Sequence, residues 1–500
     1  MPIAEPSAPP RPSQTKIVAT LGPASSSQDQ LAELMVAGVD VFRINMAHGS
    51  REEHFERLQA IRHVSAGLGH PVAVLADLAG PKMRLEELPG GQLTCNSDDR
   101  LRFVRSVRDA SHGVQDDRAA PKDGEEQRPV ELTTTYAPLI DELAVGDRVM
   151  LADGTVVLTV EQKGDDFAEC RVVQPGLIRS RQGVNLPGVK LSAPALGPVD
   201  QKNAAWAAEN GIDFVGLSFV RTADEIRQLK ALLKFHGSEA QVIAKIEKPE
   251  ALEHLDEIVD ATDGVMVARG DLGVEIDIAR VAVVQKEIIA ACNRRRKPVI
   301  IATQMLDSMQ HSRIPTRAEV ADVSNAILDG ADACMLSGET AIGDHPRLAV
   351  EMMHRIALAT EPLCRQRAVQ PLPEIDGEGG SRITEVTVYA AARMAERLDA
   401  RLIVVASVSG ATALAMAKNH SFVPTIGVSD SEPTLRRMCL YWGIIPLAGA
   451  PTADNRALLQ FTAAWGRKAG LLEAGDRVVL VAGTGLTVTA HNAIVVHVVE

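Results

Sequence analysis

The sequence predicts an α/β protein whose central unit is a closed (β/α)8 barrel, a TIM barrel, and three observations support this fold class. Eight short apolar runs alternate with amphipathic stretches of helix length between residues 16 and 336. Near-continuous apolar strands are typical of a parallel sheet that helices cover. Charged and hydroxyl side chains follow the ends of these runs, as in barrels that carry an active site at the carboxyl ends of their strands. The predicted strands are Lys16–Thr20, Val39–Ile44, Val72–Leu75, Phe214–Phe219, Val242–Ile246, Val265–Ala268, Val299–Thr303 and Ala333–Leu336.

Two helix starts carry a clear local signal. Thr222 is followed three residues later by Glu225, and Thr316 is followed by Glu319. This spacing predicts a capping box, in which each side chain hydrogen-bonds the backbone of the other residue. After Thr316, apolar residues recur at helical spacing, which predicts an amphipathic helix.

The barrel pattern is interrupted twice, which predicts three domains. Residues 85–186 show β-type runs and turn signals, such as Arg148–Leu151 and Thr155–Val160, and predict a small β-barrel lid inserted after the third strand. Residues 361–381 are rich in Pro, Gly and acidic side chains and predict a linker. We therefore expect a disordered N-terminal arm at 1–14, a catalytic barrel at 15–84 and 187–360, and a C-terminal α/β domain at 382–500.

Composition excludes several functional classes. The chain is 46% hydrophobic and 23% charged, carries a net charge of −13 and has only 3% aromatic residues. Neither nucleic-acid binding nor base stacking is expected from such a chain. No apolar run reaches the roughly 18 residues that a membrane helix needs. Six scattered cysteines are typical of reduced thiols, so we expect a cytoplasmic protein.

The strongest candidate site lies at the ends of the fifth and sixth strands. Lys245 and Glu247 are two residues apart, so both side chains point to one face of a strand, and Asp271 follows the next strand. The two carboxylates are hard oxygen ligands that suit Mg²⁺ or Mn²⁺. A metal-binding carboxylate pair beside an ammonium group is what phosphoryl transfer requires.

The other strand ends contribute side chains to the same predicted rim. Each of them alone has an ordinary structural explanation, such as a surface ion pair or a turn hydroxyl. The functional interpretation depends on the agreement of several strand ends, which together form a site for an anion and a metal. The rim residues are Arg43, Asn45, His48, Asp77, Lys82, Arg84, Ser218, Thr303, Ser337 and Glu339.

Longer segments show a family resemblance that runs in order from about residue 15 to 360 and more weakly to the C-terminus. They include Thr15–Ser25, Phe42–Gly49, Gly183–Gly188, Ala244–Glu247, Met266–Ile276, Ala302–Leu306, Pro315–Glu319 and Met335–Thr340. These motifs are specific, and the chain resembles the pyruvate kinases. The resemblance implies phosphoryl transfer from phosphoenolpyruvate to ADP, giving pyruvate and ATP in the last step of glycolysis. It also implies a regulatory role for the C-terminal domain and a homotetramer.

The resemblance also implies roles for individual residues. Glu247 and Asp271 would bind the divalent metal, and Lys245 would stabilise the transferring phosphoryl group. Arg43 would bind that phosphate, and Thr303 with the Gly270–Asp271 segment would hold the substrate carboxylate. The nucleotide side would be formed by Asn45, His48, Arg84 and the lid residue Asp153, and protonation of the enolpyruvate carbon would involve Thr303 and Ser337.

Three positions depart from the commonest family pattern and bear on potassium. Ala47 and Leu78 stand where a Ser and a Thr hydroxyl would help to hold K⁺, and Lys82 stands where potassium-dependent members have Glu. We expect the Lys82 ammonium, with Asn45 and Asp77 nearby, to replace the monovalent cation, as in the family's K⁺-independent branch. The alternative is a surface lysine at the rim. Gln182, where many members have Lys, leaves the nucleotide preference open.

The C-terminal domain contains a candidate effector loop. Ser407, Ser409, Gly410 and Thr412 follow a strand and begin a helix, an arrangement that can bind phosphate. The alternative is an ordinary helix cap. The later loop, Gly483–Thr487, has no basic residue, so a sugar monophosphate or a nucleoside monophosphate is the expected class of effector.

Two other functions remain to be distinguished from a kinase. A metal-dependent barrel aldolase acting on pyruvate-type enolates would share the Glu/Asp pair but would need neither a lid nor a C-terminal domain. A non-catalytic metabolite sensor would be expected to have lost Lys245, Glu247, Asp271, Arg43 or Thr303, and all five are present.

Overall fold

The barrel begins close to the start of the described chain. The structure, a computed structural model, describes residues 13–105, 129–152, 154–365, 380–483 and 492–500. Ser13 and Gln14 contact helix residues near the end of the barrel, where the Gln14 N–H donates to the Glu361 carboxylate at 2.9 Å. Several predicted segments lie outside the described residues: the rest of the N-terminal arm, residues 106–128 of the lid, Asp153, the middle of the linker and most of the loop Gly483–Thr487.

Three strands and two long helices form the first part of the barrel. These elements are β1 (Lys16–Thr20), α1 (Gln28–Ala37), β2 (Val41–Asn45), α2 (Arg51–Leu68) and β3 (Ala73–Asp77). Ser27 and Ser50 cap the two helices, and a left-handed glycine ends each of them.

The lid follows β3 and contains two sheets around its own apolar core. Its elements are β4 (Gln92–Cys95), β5 (Arg100–Val104), β6 (Val130–Leu132), α3 (Leu139–Glu142), β7 (Arg148–Leu151), β8 (Val156–Lys163), β9 (Phe167–Gln174), β10 (Gly176–Arg179) and β11 (Val184–Asn185). Six strands pair in the order β11-β7-β8-β9-β5-β6, and β10 pairs with β4. Buried side chains such as Phe103, Val149 and Leu158 fill this core.

The chain then returns to complete the barrel. The remaining barrel elements are α4 (Pro198–Glu209), β12 (Phe214–Leu217), α5 (Ala223–Phe235), β13 (Gln241–Ile246), α6 (Pro249–Glu253), α7 (Leu255–Ala261), β14 (Gly264–Ala268), α8 (Arg269–Glu275), α9 (Val281–Arg294), β15 (Val299–Ala302), α10 (Arg317–Asp329), β16 (Ala333–Leu336), α11 (Gly338–Ala341) and α12 (Pro346–Arg365). Short 3₁₀ turns lie at Pro23–Ser25, Pro89–Gly91, Ile278–Arg280 and Asp307–Gln310.

All eight predicted strands are present in one closed parallel barrel, so the predicted fold class is confirmed. The ring runs β1-β16-β15-β14-β13-β12-β3-β2. Each predicted boundary lies within two residues of the observed one. Two strands end earlier than predicted because Phe219 and Thr303 have left-handed backbones, with φ of +56° and +69°, which no strand can accommodate.

The C-terminal domain is a five-stranded sheet with helices. Its elements are α13 (Gly380–Arg397), β17 (Leu402–Ala406), α14 (Ala411–Ala417), β18 (Thr425–Val428), α15 (Glu432–Met438), β19 (Ile444–Leu447), α16 (Asn455–Lys468), β20 (Arg477–Ala482) and β21 (Ala493–Val498). The order is β19-β18-β17-β20-β21, and only the pairing of β20 with β21 is antiparallel. Among the helices described, none combines the length and the apolar character needed to cross a membrane.

Four carboxylates form a repeated arrangement at the amino ends of the barrel strands. Asp40, Asp213, Asp263 and Asp332 each precede one strand (β2, β12, β14 and β16) and accept a backbone N–H from the preceding strand of the ring at 2.8 Å. Side chains inside the barrel also belong to one apolar cluster with the core of the C-terminal domain. The C-terminal domain therefore packs against the amino end of the barrel, opposite the predicted active site.

Candidate active site

Lys245, near the end of β13, lies at the centre of the site. Its side chain is 11% exposed, and its Nζ donates to the Ser218 Oγ at 2.6 Å. The same nitrogen lies 3.0 Å from Glu247 Oε1 and 3.3 Å from Asp77 Oδ1. The strand ends of β3, β12 and β13 therefore bring three oxygen atoms around one ammonium group.

Arg43, on β2, forms the second cationic group of the site. Its Nε and Nη2 lie 2.7 Å and 2.6 Å from Asp77 Oδ2, and its Nη1 donates to the Thr20 hydroxyl at 3.1 Å. A carboxylate that receives both Nε and Nη2 fixes the plane of the guanidinium group. Asp77 thus lies between Arg43 and Lys245 and orients both cations toward the carboxyl end of the barrel.

The protonation states in this cluster follow from burial and charge. Burial opposes the charge on Asp77, but the Lys245 and Arg43 cations outweigh that effect and lower the pKa of its carboxyl group. Burial also disfavours the charged form of Lys245, yet Asp77 and Glu247 raise the pKa of its ammonium group above the ordinary value. Lys245 and Asp77 are therefore both ionised at neutral pH.

Glu247 and Asp271 have the character of a metal-binding pair. Burial raises the pKa of the Glu247 carboxyl group, and the nearby negative charge of Asp271 raises it further against the opposing effect of Lys245. A divalent cation between two such carboxylates would remove their repulsion. The described residues contain no group of three or more metal-binding side chains. Mg²⁺ suits this donor set, because it is usually held by one or two carboxylates and completes its shell with water and substrate oxygens.

The seventh strand contributes Thr303 through an unusual backbone. Both Thr303 and Gln304 have positive φ, which is rare for a β-branched residue. Thr303 Oγ1 accepts the Gly270 N–H at 2.8 Å and donates to the carbonyl of Ala302 at 2.7 Å. The predicted pair of Thr303 and the Gly270–Asp271 segment is therefore in direct contact.

Ser337 and Glu339 follow the eighth strand and differ in what their side chains do. Both Glu339 oxygens accept backbone N–H groups, from Leu306 at 3.0 Å and from Ser337 at 2.7 Å. Glu339 therefore holds two loops together rather than facing the cleft. The Ser337 Oγ is shielded from solvent and has no hydrogen-bond partner among the residues described, so its hydrogen-bonding capacity is unused there.

The residues predicted for the nucleotide side lie at the junction of the barrel and the lid. Partial desolvation and the positive charges of Arg84, Lys82 and Arg43 lower the pKa of the exposed His48, so its ring is neutral at pH 7. Arg84 Nη1 donates to the carbonyl of the lid residue Arg181 at 3.2 Å. The Asn45 side-chain oxygen accepts the Ala47 N–H at 3.1 Å and so shapes the turn after β2.

An open cleft lies between the barrel rim and the lid. Lys82, Phe219, Lys248, Asp271 and Glu275 are among its lining residues. The exposed Lys82 side chain and the metal-binding candidate Asp271 thus face the same space. The Gln182 side-chain oxygen accepts the Arg179 N–H at 2.6 Å within a turn of the lid, and Asp153 lies outside the described residues.

The predicted effector loop is shaped by its own side chains. Ser407 and Thr412 are buried, and the Ser407 Oγ accepts the Gly410 N–H at 3.1 Å. The Ser409 Oγ accepts the Ala411 N–H at 3.4 Å, and Gly410 has a φ of +90°. These contacts of Ser407 and Ser409 are those of an ordinary helix cap, which the sequence analysis gives as the alternative to a phosphate site.

Several residues of the site have no individual role in the sequence interpretation, although Ser218 belongs to the predicted rim. Thr20 contacts Arg43, Ser218 contacts Lys245, and the Phe219 N–H donates to Glu247 Oε2 at 2.8 Å. Lys248 and Glu275 form a buried pair at 2.6 Å on the wall of the cleft. The common signal is position, since Thr20, Ser218 and Phe219 all lie at the carboxyl end of a barrel strand.

A barrel whose carboxyl end carries two cations and two carboxylates suited to a divalent metal, with a lid beside it, is typical of a phosphotransferase. The sequence matches "Pyruvate kinase, barrel domain" over residues 12–350 and "Pyruvate kinase, alpha/beta domain" over residues 385–497. A pyruvate kinase of Geobacillus stearothermophilus is 39% identical over 97% of this chain and 80% of that protein. One of Mycobacterium intracellulare is 39% identical over 96% of this chain and 98% of that protein.

A solved structure resembles the whole fold. The crystal structure of a pyruvate kinase from Cryptosporidium parvum is 29% identical, with a TM-score of 0.87, and the match covers 98% of this chain and 96% of that one. The chain belongs to the pyruvate kinase family. It is therefore an enzyme that transfers phosphoryl groups, and the family implies a divalent metal cofactor.

Proposed function

We propose that the chain transfers the phosphoryl group of phosphoenolpyruvate to ADP, and that Lys245 and Arg43 carry the transferring group. The observation that supports this most directly is the buried ammonium of Lys245 beside the guanidinium of Arg43, with Asp77 between them. Phosphoryl transfer needs little covalent chemistry from the protein and depends on positioning and on compensation of negative charge. Two fixed cations at the carboxyl end of the barrel supply both.

In this reaction the bond between phosphorus and the enol oxygen breaks, and a bond to the terminal ADP oxygen forms. Arg43 binds the phosphate of phosphoenolpyruvate, and Lys245 stabilises the group between the two oxygens. The Gly270–Asp271 segment and Thr303 hold the substrate carboxylate. Glu247 and Asp271 would hold Mg²⁺ or Mn²⁺, which supplies positive charge to the phosphate and enolate oxygens when it is bound.

The released enolate takes a proton at carbon to become pyruvate. We propose that Ser337 takes part in this protonation more directly than Thr303. The Thr303 proton is already donated to the Ala302 carbonyl, whereas the shielded Ser337 Oγ has no hydrogen-bond partner within the described residues. Ser337→Ala is expected to lower kcat more than Ser25→Ala, which truncates a buried serine of the β1–α1 connection.

The experiment that tests the kinase is pyruvate formation from phosphoenolpyruvate and ADP with Mg²⁺, coupled to lactate dehydrogenase. Activity should require ADP and should fall by at least about 10²–10³-fold in Lys245→Met, the range seen when one transition-state donor is removed. Lys234→Met, at an exposed position of α5, is the matched control and should retain full activity. Pyruvate formation without ADP, or full activity in Lys245→Met, would refute the proposal.

We also propose that Lys82 replaces a monovalent cation. Leu78 is buried in the apolar core and offers no side-chain oxygen, and the exposed Lys82 lines the cleft with Asp271. Turnover should then be similar in sodium, potassium and tetramethylammonium buffers. Lys82→Met should lose activity in all three, and Lys190→Met, at another exposed lysine shortly after the lid, should not. A many-fold requirement for K⁺ in the wild type would contradict this role.

The remaining proposals concern regulation, assembly and location. We propose a sugar monophosphate or a nucleoside monophosphate as an effector at the Ser407–Thr412 loop, with the exposed Ser409 as its contact, and a cytoplasmic homotetramer. Glucose 6-phosphate and AMP are suitable probes for a change in kcat or KM that Ser409→Asp removes. Light scattering should give four times the 53.4 kDa of one chain. No response to either probe would refute the effector proposal, and any other mass would refute the tetramer.

A further inference from the structure

We propose that Ser218 is a positioning residue that fixes the Lys245 ammonium for phosphoryl transfer. The inference rests on the proposed role of Lys245, and it assigns Ser218 no contact with the substrate. Ser218 lies directly after β12 and is 1% exposed. Its hydroxyl group joins the catalytic ammonium to the backbone of a different strand end.

The direction of this hydrogen-bond chain is fixed by chemistry. The Lys245 ammonium can only donate, so the Ser218 Oγ accepts from it at 2.6 Å. The one hydroxyl proton of Ser218 then goes to the carbonyl of Leu78, also at 2.6 Å. Because both ends of the chain are determined, the hydroxyl cannot rotate, and Lys245 is tied to the backbone after β3.

The three N–H groups of the ammonium have three oxygen partners, and these partners are not equivalent. Glu247 would also hold the divalent metal, so its charge would be shared between two cations. Asp77 is the most distant of the three at 3.3 Å, and its Oδ1 makes no hydrogen bond of good geometry to any residue described. Ser218 is therefore the partner that keeps its contact while a phosphate oxygen takes the place of a carboxylate.

Phe219, the residue after Ser218, holds the carboxylate of Glu247 through its backbone N–H. Phe219 has a φ of +56°, an unfavourable conformation for a residue with a side chain, and this conformation accompanies its N–H bond to Glu247 Oε2 at 2.8 Å. Backbone strain of this kind persists where surrounding structure imposes it. Two consecutive residues thus hold the cation and the anion of the site.

The loop after β3 packs tightly on this segment. A Cβ atom at Gly80 would lie 2.6 Å from the Phe219 Cδ2 and 3.0 Å from the Ser218 Cβ. Glycine at position 80 therefore lets the loop that carries the Leu78 carbonyl close over Ser218. This packing holds the Leu78 carbonyl, which accepts the hydroxyl proton, against the hydroxyl group of Ser218.

The test is steady-state kinetics of Ser218→Ala with phosphoenolpyruvate, ADP and Mg²⁺. A misplaced catalytic group can lower the rate by up to about a hundredfold, so we expect kcat to fall about tenfold to a hundredfold. KM for phosphoenolpyruvate and the Mg²⁺ concentration for half-maximal activity should stay within about twofold, because an interaction made in the transition state affects kcat and kcat/KM equally. Ser218→Thr, which keeps the hydroxyl, should recover most of the loss.

Ser421→Ala is the matched control, since Ser421 is buried in the C-terminal domain and its hydroxyl is hydrogen-bonded to Glu396 at 3.0 Å. It should leave kcat unchanged. If Ser218→Ala does not fold, Ser218→Cys is the second variant, because its thiol fills a similar volume but is a weak hydrogen-bonding group. We expect Ser218→Cys to show the same loss of kcat. A parallel rise in KM and in the Mg²⁺ requirement would mean general damage to the site and would overturn the positioning role.

Lys245→Met separates this inference from the proposed function. If Lys245→Met is inactive and Ser218→Ala has wild-type kcat, the positioning role is wrong and the kinase proposal stands. If Lys245→Met is fully active, the proposed role of Lys245 fails and the inference fails with it. Loss in both variants, with recovery in Ser218→Thr, supports both.

Discussion

Replacing Lys418 with methionine should strongly destabilise the docking of the C-terminal domain on the barrel. Lys418 follows α14, and its Nζ lies 2.5 Å from Asp332 Oδ2 and 2.8 Å from the Asn293 side-chain oxygen. The two charged side chains are 2% and 1% exposed. Methionine fills a similar volume, so the substitution mainly removes the charge and its hydrogen bonds.

The magnitude follows from what the substitution leaves behind. Asp332 would keep only the backbone N–H of Val299 at 2.8 Å, because its Oδ1 has no hydrogen-bond partner within the described ranges. His420 Nε2 lies 4.0 Å away, and burial lowers the pKa of that ring to about 4, so it is neutral at pH 7. Removing one partner of a buried ion pair costs about 3–5 kcal/mol, because the other charge stays buried without compensation.

The assay is a double-mutant cycle with Asp332→Asn, followed by urea unfolding. A chain of several domains need not unfold in one step, so the probe should report on this interface alone. Trp442 stacks on His420 at 4.5 Å between ring centroids, and replacing Trp206 and Trp465 with Phe leaves it as the only tryptophan. Its fluorescence then follows the docking of the C-terminal domain.

We expect a coupling free energy of at least about 2 kcal/mol, because the double variant no longer buries an unpaired carboxylate. Lys234→Met, at an exposed position, should change the unfolding free energy by less than about 0.5 kcal/mol. The site lies at the other end of the barrel, so kcat of folded Lys418→Met should match the wild type. A loss below about 1 kcal/mol, or additive single variants, would refute the reasoning.

Three further predictions concern pH, thiols and packing. Burial lowers the pKa of His420 below its ordinary value, so its contribution to stability is complete above pH 6.5 and is lost as the pH falls toward 4. His420→Gln should make the unfolding free energy less dependent on pH between these values. His63→Gln, at an exposed site, should not change this dependence. Burial raises the thiol pKa to about 12 in Cys170, Cys292 and Cys334. Since only the thiolate reacts, these thiols should react with a disulfide reagent at pH 8 only after urea is added. Fast labelling of all three in the native protein would contradict the prediction that they are buried and protonated. Gly80→Ala should lower stability by about 1–3 kcal/mol through the clash with Phe219, whereas Gly188→Ala, which has a similar φ and open space around it, tests the cost of backbone strain alone.

The sequence alone located the barrel and most of its rim because both depend on local pattern. Buried parallel strands are apolar over their whole length, so the eight runs are visible without any knowledge of their partners. All strands of a parallel barrel run in the same direction, so charged residues at their carboxyl ends must meet at one rim. Lys245, Glu247 and Arg43 could be brought together on these grounds.

The rest of the site could not be predicted in the same way. Ser218 is predicted at the rim from its place after the fourth strand, but no sequence pattern predicts its hydrogen bond to Lys245, which is 27 residues away, or the contact of Thr20 with Arg43. The positive φ of Phe219 and Thr303 is imposed by contacts distant in sequence, not by their own preferences. Glu339 was read as a rim carboxylate, and only its two backbone partners show that it joins loops.

The carboxylates at the amino end of the barrel connect sequence, fold and domain assembly. Asp40, Asp213, Asp263 and Asp332 each directly precede an apolar run, and that position lets each of them accept a strand N–H that would otherwise be buried without a partner. A buried carboxylate needs a cation, and the chain supplies it in two ways.

The barrel itself provides Lys16 to Asp40, at 3.4 Å, and Lys230 to Asp263, at 2.7 Å. The C-terminal domain provides Arg436 to Asp213, at 2.7 Å, and Lys418 to Asp332. Asp332 therefore obtains its lysine counter-charge only when the C-terminal domain is docked, whereas Asp213 gains Arg436 in addition to Arg62 of the barrel, at 2.8 Å. Docking therefore adds positive charge beside the amino ends of β12 and β16, the strands whose carboxyl ends carry Ser218 and Ser337.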